Sequence, residues 1–388
     1  MATTQPHKES RLSSFPHAWT IFSLRGVPIR LDISWVLICG LVIFIFATRF
    51  SQLLGPYGTM AVIASAALAT LAFFASILAH EVGHAVTSLD RGIPVSSVTL
   101  FLLGGVTEST REPTEARHEL VIVGIGPFIS LVLAAGFGLL HSIAPGTTPY
   151  GVVTGFLAWL NLALAVFNVL PGYPLDGGRL LRAVLWAATG RPHAATRWAA
   201  RVGQGFAAVL MLGGLNGVVG GPLPADEGPL RTAVVLLAAN GLWAVLIGFF
   251  LLRGALDAHR RARARERLSA VTAGQVMGAL PPSLPPDLTL DEAILRVQQR
   301  PSLLWPVGTP PVGALRLEDF DAVPQDGWAG TSVATIARNA SEVTVDHRMP
   351  LDAALDRLLD APGQMLVVTD GDEPVGLLTM SLVGGLAR

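Results

Sequence analysis

Six long apolar runs dominate this chain, at about 33–49, 60–86, 120–141, 151–170, 198–219 and 230–252. Crossing a bilayer core as a helix takes roughly 20 apolar residues, and in hydrocarbon every backbone N–H and C=O must find its partner within the protein. Six such runs commit the chain to a helical bundle in a membrane. Composition agrees: 51% of the 388 residues are apolar, 14% are charged, and the mean hydropathy is +0.53. Soluble domains carry about a quarter charged residues, so a wholly soluble enzyme and a disordered chain are excluded. A net charge of −1 gives no footprint for a polyanion, and no nucleic-acid partner is expected. The single cysteine, Cys39, excludes an internal disulfide framework.

The polar first 28 residues lack the apolar core and cleavage site of a removable signal peptide, so none is expected. With the N-terminus placed in the cytoplasm, eighteen Lys and Arg residues fall inside, and only Arg49 and Arg231 fall outside. The positive-inside rule then predicts a multi-pass protein of the cell (plasma) membrane with both termini cytoplasmic.

Two polar clusters interrupt the apolar pattern. Near the cytoplasmic end of the second run the chain reads His80-Glu81-Val82-Gly83-His84. Residues i and i+4 of a helix share a face, so both imidazoles can meet one metal ion, with Glu81 beside them to take a proton from a polarised water. Ionisable groups inside a bilayer helix cost about 3 kcal/mol each and are functional by default. The plainer alternative is three buried polar groups that satisfy one another or line a proton path. The second cluster, Asn168-Val169-Leu170-Pro171-Gly172-Tyr173-Pro174-Leu175-Asp176-Gly177-Gly178, follows the fourth run. The arginine count alone brings both clusters to one side of the membrane. Pro171 and Pro174 break the helix, and such backbone is tolerated at membrane depth only within protein or beside water. Asp176 can supply a third ligand and leave a fourth position of tetrahedral zinc open. Alternatively, it pairs with Arg179 or Arg182 in a cytoplasmic turn.

His80-Glu81-x-x-His84 on one helix, with Asn168-x-x-Pro171-x-x-Pro174-x-Asp176-Gly177 after a later one, resembles the site-2 protease family of intramembrane zinc metalloproteases (peptidase M50-like). Gly26-Val27-Pro28-Ile29-Arg30 resembles the family's opening, with Asp32 where His is expected. Phe101-Leu102-Leu103-Gly104-Gly105-Val106 resembles its membrane-associated hairpin, and Gly126-Pro127-Phe128-Ile129-Ser130 its next core helix. The likeness covers about residues 20–250. It implies that His80, His84 and Asp176 bind one zinc ion, that Glu81 is the general base, and that Asn168 hydrogen-bonds the substrate carbonyl or its oxyanion. The structural alternative for Asn168 is a helix-end cap near Pro171. The implied activity is a zinc metalloendopeptidase performing regulated intramembrane proteolysis. Its implied substrates are membrane-embedded proteins such as anti-sigma factors or membrane-bound transcription regulators.

Cleavage of a transmembrane helix requires it to unwind. Residues Ser97–Leu103, ending in Gly104-Gly105, read as a strand and turn. An unpaired edge there could hold unwound substrate by strand addition, which makes Phe101, Leu102, Leu103, Gly104 and Gly105 candidate substrate-binding residues. The plainer reading is an interfacial hairpin packed on the helices. His118 and His141 read as surface or interfacial histidines.

From Asp257 a run of arginines forms a basic helical extension suited to the anionic leaflet or simply to solvent. Beyond it, strand–helix–strand–strand units recur. One contains the capping-box pair Thr289 and Glu292, and the other runs from Val333 through Val375-Gly376-Leu377-Leu378. Tandem units of this kind resemble a pair of CBS domains, which implies a homodimer contact or an adenine nucleotide site. The family's ribose-contacting Thr and Asp are incomplete here: Arg316 and Asp319 in the first unit, Thr379 and Leu382 in the second.

The expected architecture is thus a multi-span α-helical membrane protein with six transmembrane helices and a small β-hairpin, followed by an α/β CBS pair. It divides into an N-terminal segment 1–28, a membrane domain 29–253, a basic connector 254–270 and a tandem domain 271–388. The alternative outside proteolysis is a CBS-capped metal-ion transporter or channel, which predicts ionisable residues on several spans and internal repeat symmetry.

Overall fold

A computed structural model describes residues 17–101, 104–143, 146–221, 235, 240–301 and 303–386. It divides into two compact units, Met1–His259 and Arg260–Arg388. The first holds strands β1 (Ala18–Leu24), β2 (Val27–Asp32), β3 (Val95–Phe101) and β4 (Gly104–Ser109) and helices α1 (Ile33–Leu54), α2 (Thr59–Leu89), α3 (Ala116–Ser142), α4 (Pro149–Val169), α5 (Asp176–Thr189) and α6 (Pro192–Val218). Helix α7 (Gly241–Ser269) runs across the division and includes the arginine-rich segment.

Helices α1, α2, α3, α4 and α7 are long and apolar enough to cross a membrane, and the protein is a multi-pass membrane protein. The expected fifth span at 198–219 falls on α6, whose 27 residues suffice in length. Arg197, Arg201, Gly203, Gln204 and Gly205 dilute its apolar character, so it is not among those five. Most of the early part of the 230–252 run lies outside the described residues. Helix α2 has 31 residues and rises about 46 Å, well over the ~30 Å hydrocarbon core. His80 stands about 32 Å from its start, and Asn168 about 29 Å from the start of α4.

The small hairpin expected from sequence is half of a four-stranded sheet in the order β1-β2-β3-β4. Arg25 and Gly26 have φ of 52° and 85°, as a tight turn between β1 and β2 requires. Strand β2 is parallel to β3, and β3 is antiparallel to β4. The expectation of an unpaired edge at 97–103 is therefore corrected as far as Phe101: β3 is paired on both sides, and among the described residues the free edge next to it belongs to β4. The sheet packs on α2 through Val27, Ile29 and Val98 against Ala85, the three branched side chains each worth about 1.5–3 kcal/mol when buried. This packing sets β4 beside the end of α2 that carries His80 and His84. Asp32 caps α1, accepting from the Ser34 amide at 3.0 Å.

The second unit continues with α8 (Ala273–Val276), α9 (Leu290–Val297), β5 (Trp305–Val307), β6 (Gly313–Leu315), α10 (Val333–Ile336), β7 (Arg338–Asn339), α11 (Ala340–Val343), β8 (Thr344–Asp346), α12 (Leu351–Asp360), β9 (Met365–Asp370), β10 (Glu373–Thr379) and α13 (Met380–Leu386). Its strands form two three-stranded sheets, β5-β6-β7 and β10-β9-β8. Strand β8 runs parallel to β9, across α12, and β9 is antiparallel to β10. Leu284 likewise bridges β5 in parallel, across α9. Thr289 stands at the N-cap of α9, but its hydroxyl makes no cap bond. The neighbouring Leu290 amide is instead donated to the Thr331 carbonyl at 3.0 Å.

Between α4 and α5 the chain presses directly on α6. A Cβ at Gly203 would lie 2.5 Å from the Tyr173 carbonyl oxygen and 2.8 Å from its nitrogen, both backbone atoms that cannot swing aside. Gly203→Ala is expected to cost about 1–3 kcal/mol by overpacking, read as a lowered thermal midpoint in detergent. Gly205→Ala, where nothing lies within 4 Å, should leave the midpoint close to that of the parent protein.

Candidate metal centre

Helix α2 delivers both imidazoles, because His80 and His84 are one turn apart on its buried face, with ring centroids 4.9 Å apart. Asp176 is the first residue of α5, where a carboxylate also suits the positive helix end. Its Oδ2 lies 3.0 Å from His80 Nε2 and 3.2 Å from His84 Nε2. One ligand atom from each of the three can be chosen so that all lie within 4.8 Å of one another.

The chemistry of this donor set decides what belongs between them. His84 Nδ1 lies 2.7 Å from the Ile122 carbonyl oxygen. A carbonyl only accepts, so Nδ1 carries the proton, and Nε2 of the neutral ring presents a lone pair to an ionised carboxylate. A lone pair and a carboxylate at 3.2 Å are reconciled by a proton on Nε2 or by a metal ion between them. His80 Nδ1 lies 2.9 Å from Ser130 Oγ, a hydroxyl able to donate or accept. Burial opposes ionisation of Asp176, but the two imidazoles facing its Oδ2 outweigh that and hold the carboxyl well below the usual carboxylate range. These residues fit a divalent cation of zinc's preference for nitrogen and carboxylate ligands.

The surrounding elements are shaped to this cluster. A Cβ at Gly126 of α3 would fall 2.3 Å from His84 Nε2 and 2.5 Å from His80 Nε2, so only glycine leaves the ligand atoms room. Glu81 stands outside the trio and accepts from Thr107 Oγ1 of β4 at 2.8 Å. Arg179 and Arg182, the alternative partners of Asp176, are engaged elsewhere. Arg182 donates to Glu119 at 2.7 Å and to Glu112 at 2.8 Å, and Arg179 lies 3.5 Å from Glu119. Asp176 is thereby left to the imidazoles.

Of the residues expected from sequence, His80, His84 and Asp176 are brought together and Glu81 lies beside them. Asn168 occupies the last turn of α4, half-buried, and its amide makes no hydrogen bond among the described residues, so it is not acting as a helix cap there. Phe101 ends β3 and pairs with Gly104, and Gly105 begins the run of β4 that passes Glu81. Leu102 and Leu103 lie outside the described residues. Sequence reasoning missed the Ile122 carbonyl, which no side-chain motif can signal, and the roles of Ser130 and Thr107. It also passed over Glu119, although an acidic residue beside an apolar run was a usable signal.

The family model of Peptidase family M50 matches residues 146–212. The Synechocystis protein sll0528 is 33% identical over 367 residues, covering 92% of each chain. Rip3 of Mycobacterium tuberculosis is 32% identical over 373 residues, covering 94% of this chain and 91% of the relative. Both bear zinc metalloprotease names. A solved structure, the site-2 protease from Methanocaldococcus jannaschii, is 24% identical and covers 62% of this chain and 95% of that one, with a TM-score of 0.41. The fold and the site thus define a zinc-dependent intramembrane metalloprotease. This chain belongs to peptidase family M50.

If the cavity at Gly126 is what admits the ion, Gly126→Ala should reduce bound zinc to background by elemental analysis while the protein stays folded. Gly124→Ala, with nothing within 4 Å, should retain full zinc.

Proposed function

We propose that this protein is an intramembrane zinc endopeptidase that cuts membrane-anchored proteins near the cytoplasmic face, with His80, His84 and Asp176 as ligands. The observation that carries this reading is the facing of two imidazole Nε2 atoms and one carboxylate, with a second carboxylate, Glu81, placed alongside but free of the trio. Zinc, when bound, supplies the Lewis acidity that makes water nucleophilic near neutral pH. Glu81 takes the proton of the attacking water and returns it to the leaving amine. Thr107 holds one Glu81 oxygen by a hydrogen bond, leaving the other for that proton. Asn168 donates its amide to the scissile carbonyl, an interaction worth roughly 3 kcal/mol where such donors have been removed.

The substrate joins the sheet at β4, whose outer edge is free among the described residues. This places candidate contacts at Gly104 and Gly105, next to Glu81, with Phe101 at the end of β3 and Leu102 and Leu103 following it in sequence. Membrane-embedded anti-sigma factors and transcription regulators are the substrate class that the family resemblance supports. The membrane domain spans six times with both termini cytoplasmic. The arrangement is a segment 1–28, the protease at 29–253, a connector at 254–270 and a CBS-type pair at 271–388 that dimerises. An adenine nucleotide has less support there, because Asp319 is already occupied by the Arg316 amide at 2.7 Å and by Arg338 at 2.8 Å.

Glu81→Gln should bind zinc at the parent stoichiometry while cleavage of a membrane-anchored substrate falls at least 100-fold, as expected for loss of a general base. His80→Ala and Asp176→Ala should lose both zinc and cleavage. A transporter would instead keep moving ions with Gln at position 81.

Strand addition makes a separate prediction. Every second amide of an edge strand faces outward, so proline scanning across Gly104–Ser109 should abolish cleavage at alternating positions without changing zinc content. Uniform tolerance would remove β4 from substrate binding.

A further inference from the structure

Helix α3 serves the metal centre from a single stripe. Glu119, Ile122, Gly126 and Ser130 recur at spacings of three and four, the period of one helix face. Ile122 and Ser130 orient the two histidines, and Gly126 opens the space between them. Glu119, the fourth member, touches neither ligand and is fully buried. It grips Arg182 of α5, itself 6% exposed, and Arg182 reaches on to Glu112.

Helix α5 carries Asp176 at its first residue and Arg182 six residues later, about 9 Å along the axis. A helix tethered only at its first residue can still rotate and slide, and one residue of rotation is 100°, enough to swing Asp176 away from the imidazoles. A second, bidentate tether fixes both freedoms. Resting on the ligand assignment proposed above, we infer that Arg182 and Glu119 are positioning residues that lock α5 against α3 and thereby place the Asp176 carboxylate at the metal.

The energetics favour this role over a purely stabilising one. A buried ion pair barely offsets its own desolvation and can be replaced by apolar groups at little cost. This one is also incomplete: Glu119 Oε2 and Arg182 Nε are both buried without a hydrogen-bond partner. What the pair does supply is direction, since the planar guanidinium spans two carboxylates that a lysine ammonium cannot match.

The test uses the full-length protein in detergent, with zinc affinity measured by chelator competition and the site geometry read from the visible spectrum of the cobalt(II)-substituted protein. Arg182→Lys and the double variant Glu119→Leu/Arg182→Met should each bind zinc 10–100-fold more weakly, the range typical of lost supporting contacts to metal ligands. Their cobalt spectra should lose intensity in the tetrahedral region. The double variant strands no buried charge, since the partners it leaves behind, Glu112 and Arg179, reach solvent, and it is expected to keep a thermal midpoint near the parent's. Parent-like zinc affinity and cobalt spectrum in the folded double variant overturn the lock. Should the double variant not fold, Arg182→Lys decides by the same two readings. His80→Ala separates the two levels of the argument. If it keeps its zinc, the ligand assignment fails; if it loses zinc while the lock variants bind normally, only the lock fails.

Discussion

The structure is organised around an electrostatic contradiction that only a cation resolves. Two imidazole nitrogens, one of them fixed as an acceptor by the bond between His84 Nδ1 and the Ile122 carbonyl, face one carboxylate oxygen at 3.0 and 3.2 Å. An imidazole lone pair and a carboxylate in a buried space repel one another unless a positive charge sits between them. Each neighbouring element serves that arrangement. Helix α2 supplies two imidazoles one turn apart, α3 orients them, and the break after α4 allows α5 to begin with Asp176 aimed at them.

Selectivity among charges makes the arrangement hold. Asp176 lies on the same short helix as Arg179 and Arg182, and a carboxylate so placed would ordinarily seek a guanidinium. Glu119 and Glu112 occupy those arginines instead. Burial matters here as much as charge count. In a poorly solvated site a carboxylate takes whichever partner is fixed nearest, and both arginines are engaged by Glu119 of α3 rather than by Asp176. Tyr173, packed into the same turn, contributes no charge, since burial pushes its phenol up to about 12.

How much of this was legible in the sequence follows from which interactions are local. The His80–Glu81–His84 spacing expresses helix geometry alone and could be read directly. The arginine distribution predicts that Asn168 and Asp176 share a membrane side with the histidines, and the contacts of Asp176 with both imidazoles agree with that nearness. The sheet was only half visible, because β2 meets β3 in parallel across the whole of α1 and α2, and no local turn announces such a pairing. For the same reason β3 read as an edge when it is central. Helix α6 shows the opposite limit: its length satisfies a span, but glycine and glutamine place it near the threshold where apolar character alone cannot decide. Backbone partners such as the Ile122 carbonyl leave no trace in side-chain pattern at all.

The position of the sheet is explained by the reaction. A peptide bond inside a transmembrane helix is shielded by its own hydrogen bonds, and an unwound segment beside the bilayer leaves N–H and C=O groups unpaired at a cost of several kcal/mol each. An extended edge offers replacement partners at the point where they are needed. In the strand addition proposed above, β4 is that edge, and its Thr107 hydroxyl touches both the carbonyl and the carboxylate of Glu81. The proposal thereby gives one strand two tasks, binding an unwound segment and poising the base. On that reading, any displacement of β4 that admits substrate also moves a hydrogen bond to the proposed proton acceptor, so that recognition of an extended backbone is coupled to the chemistry through contacts only one side chain long.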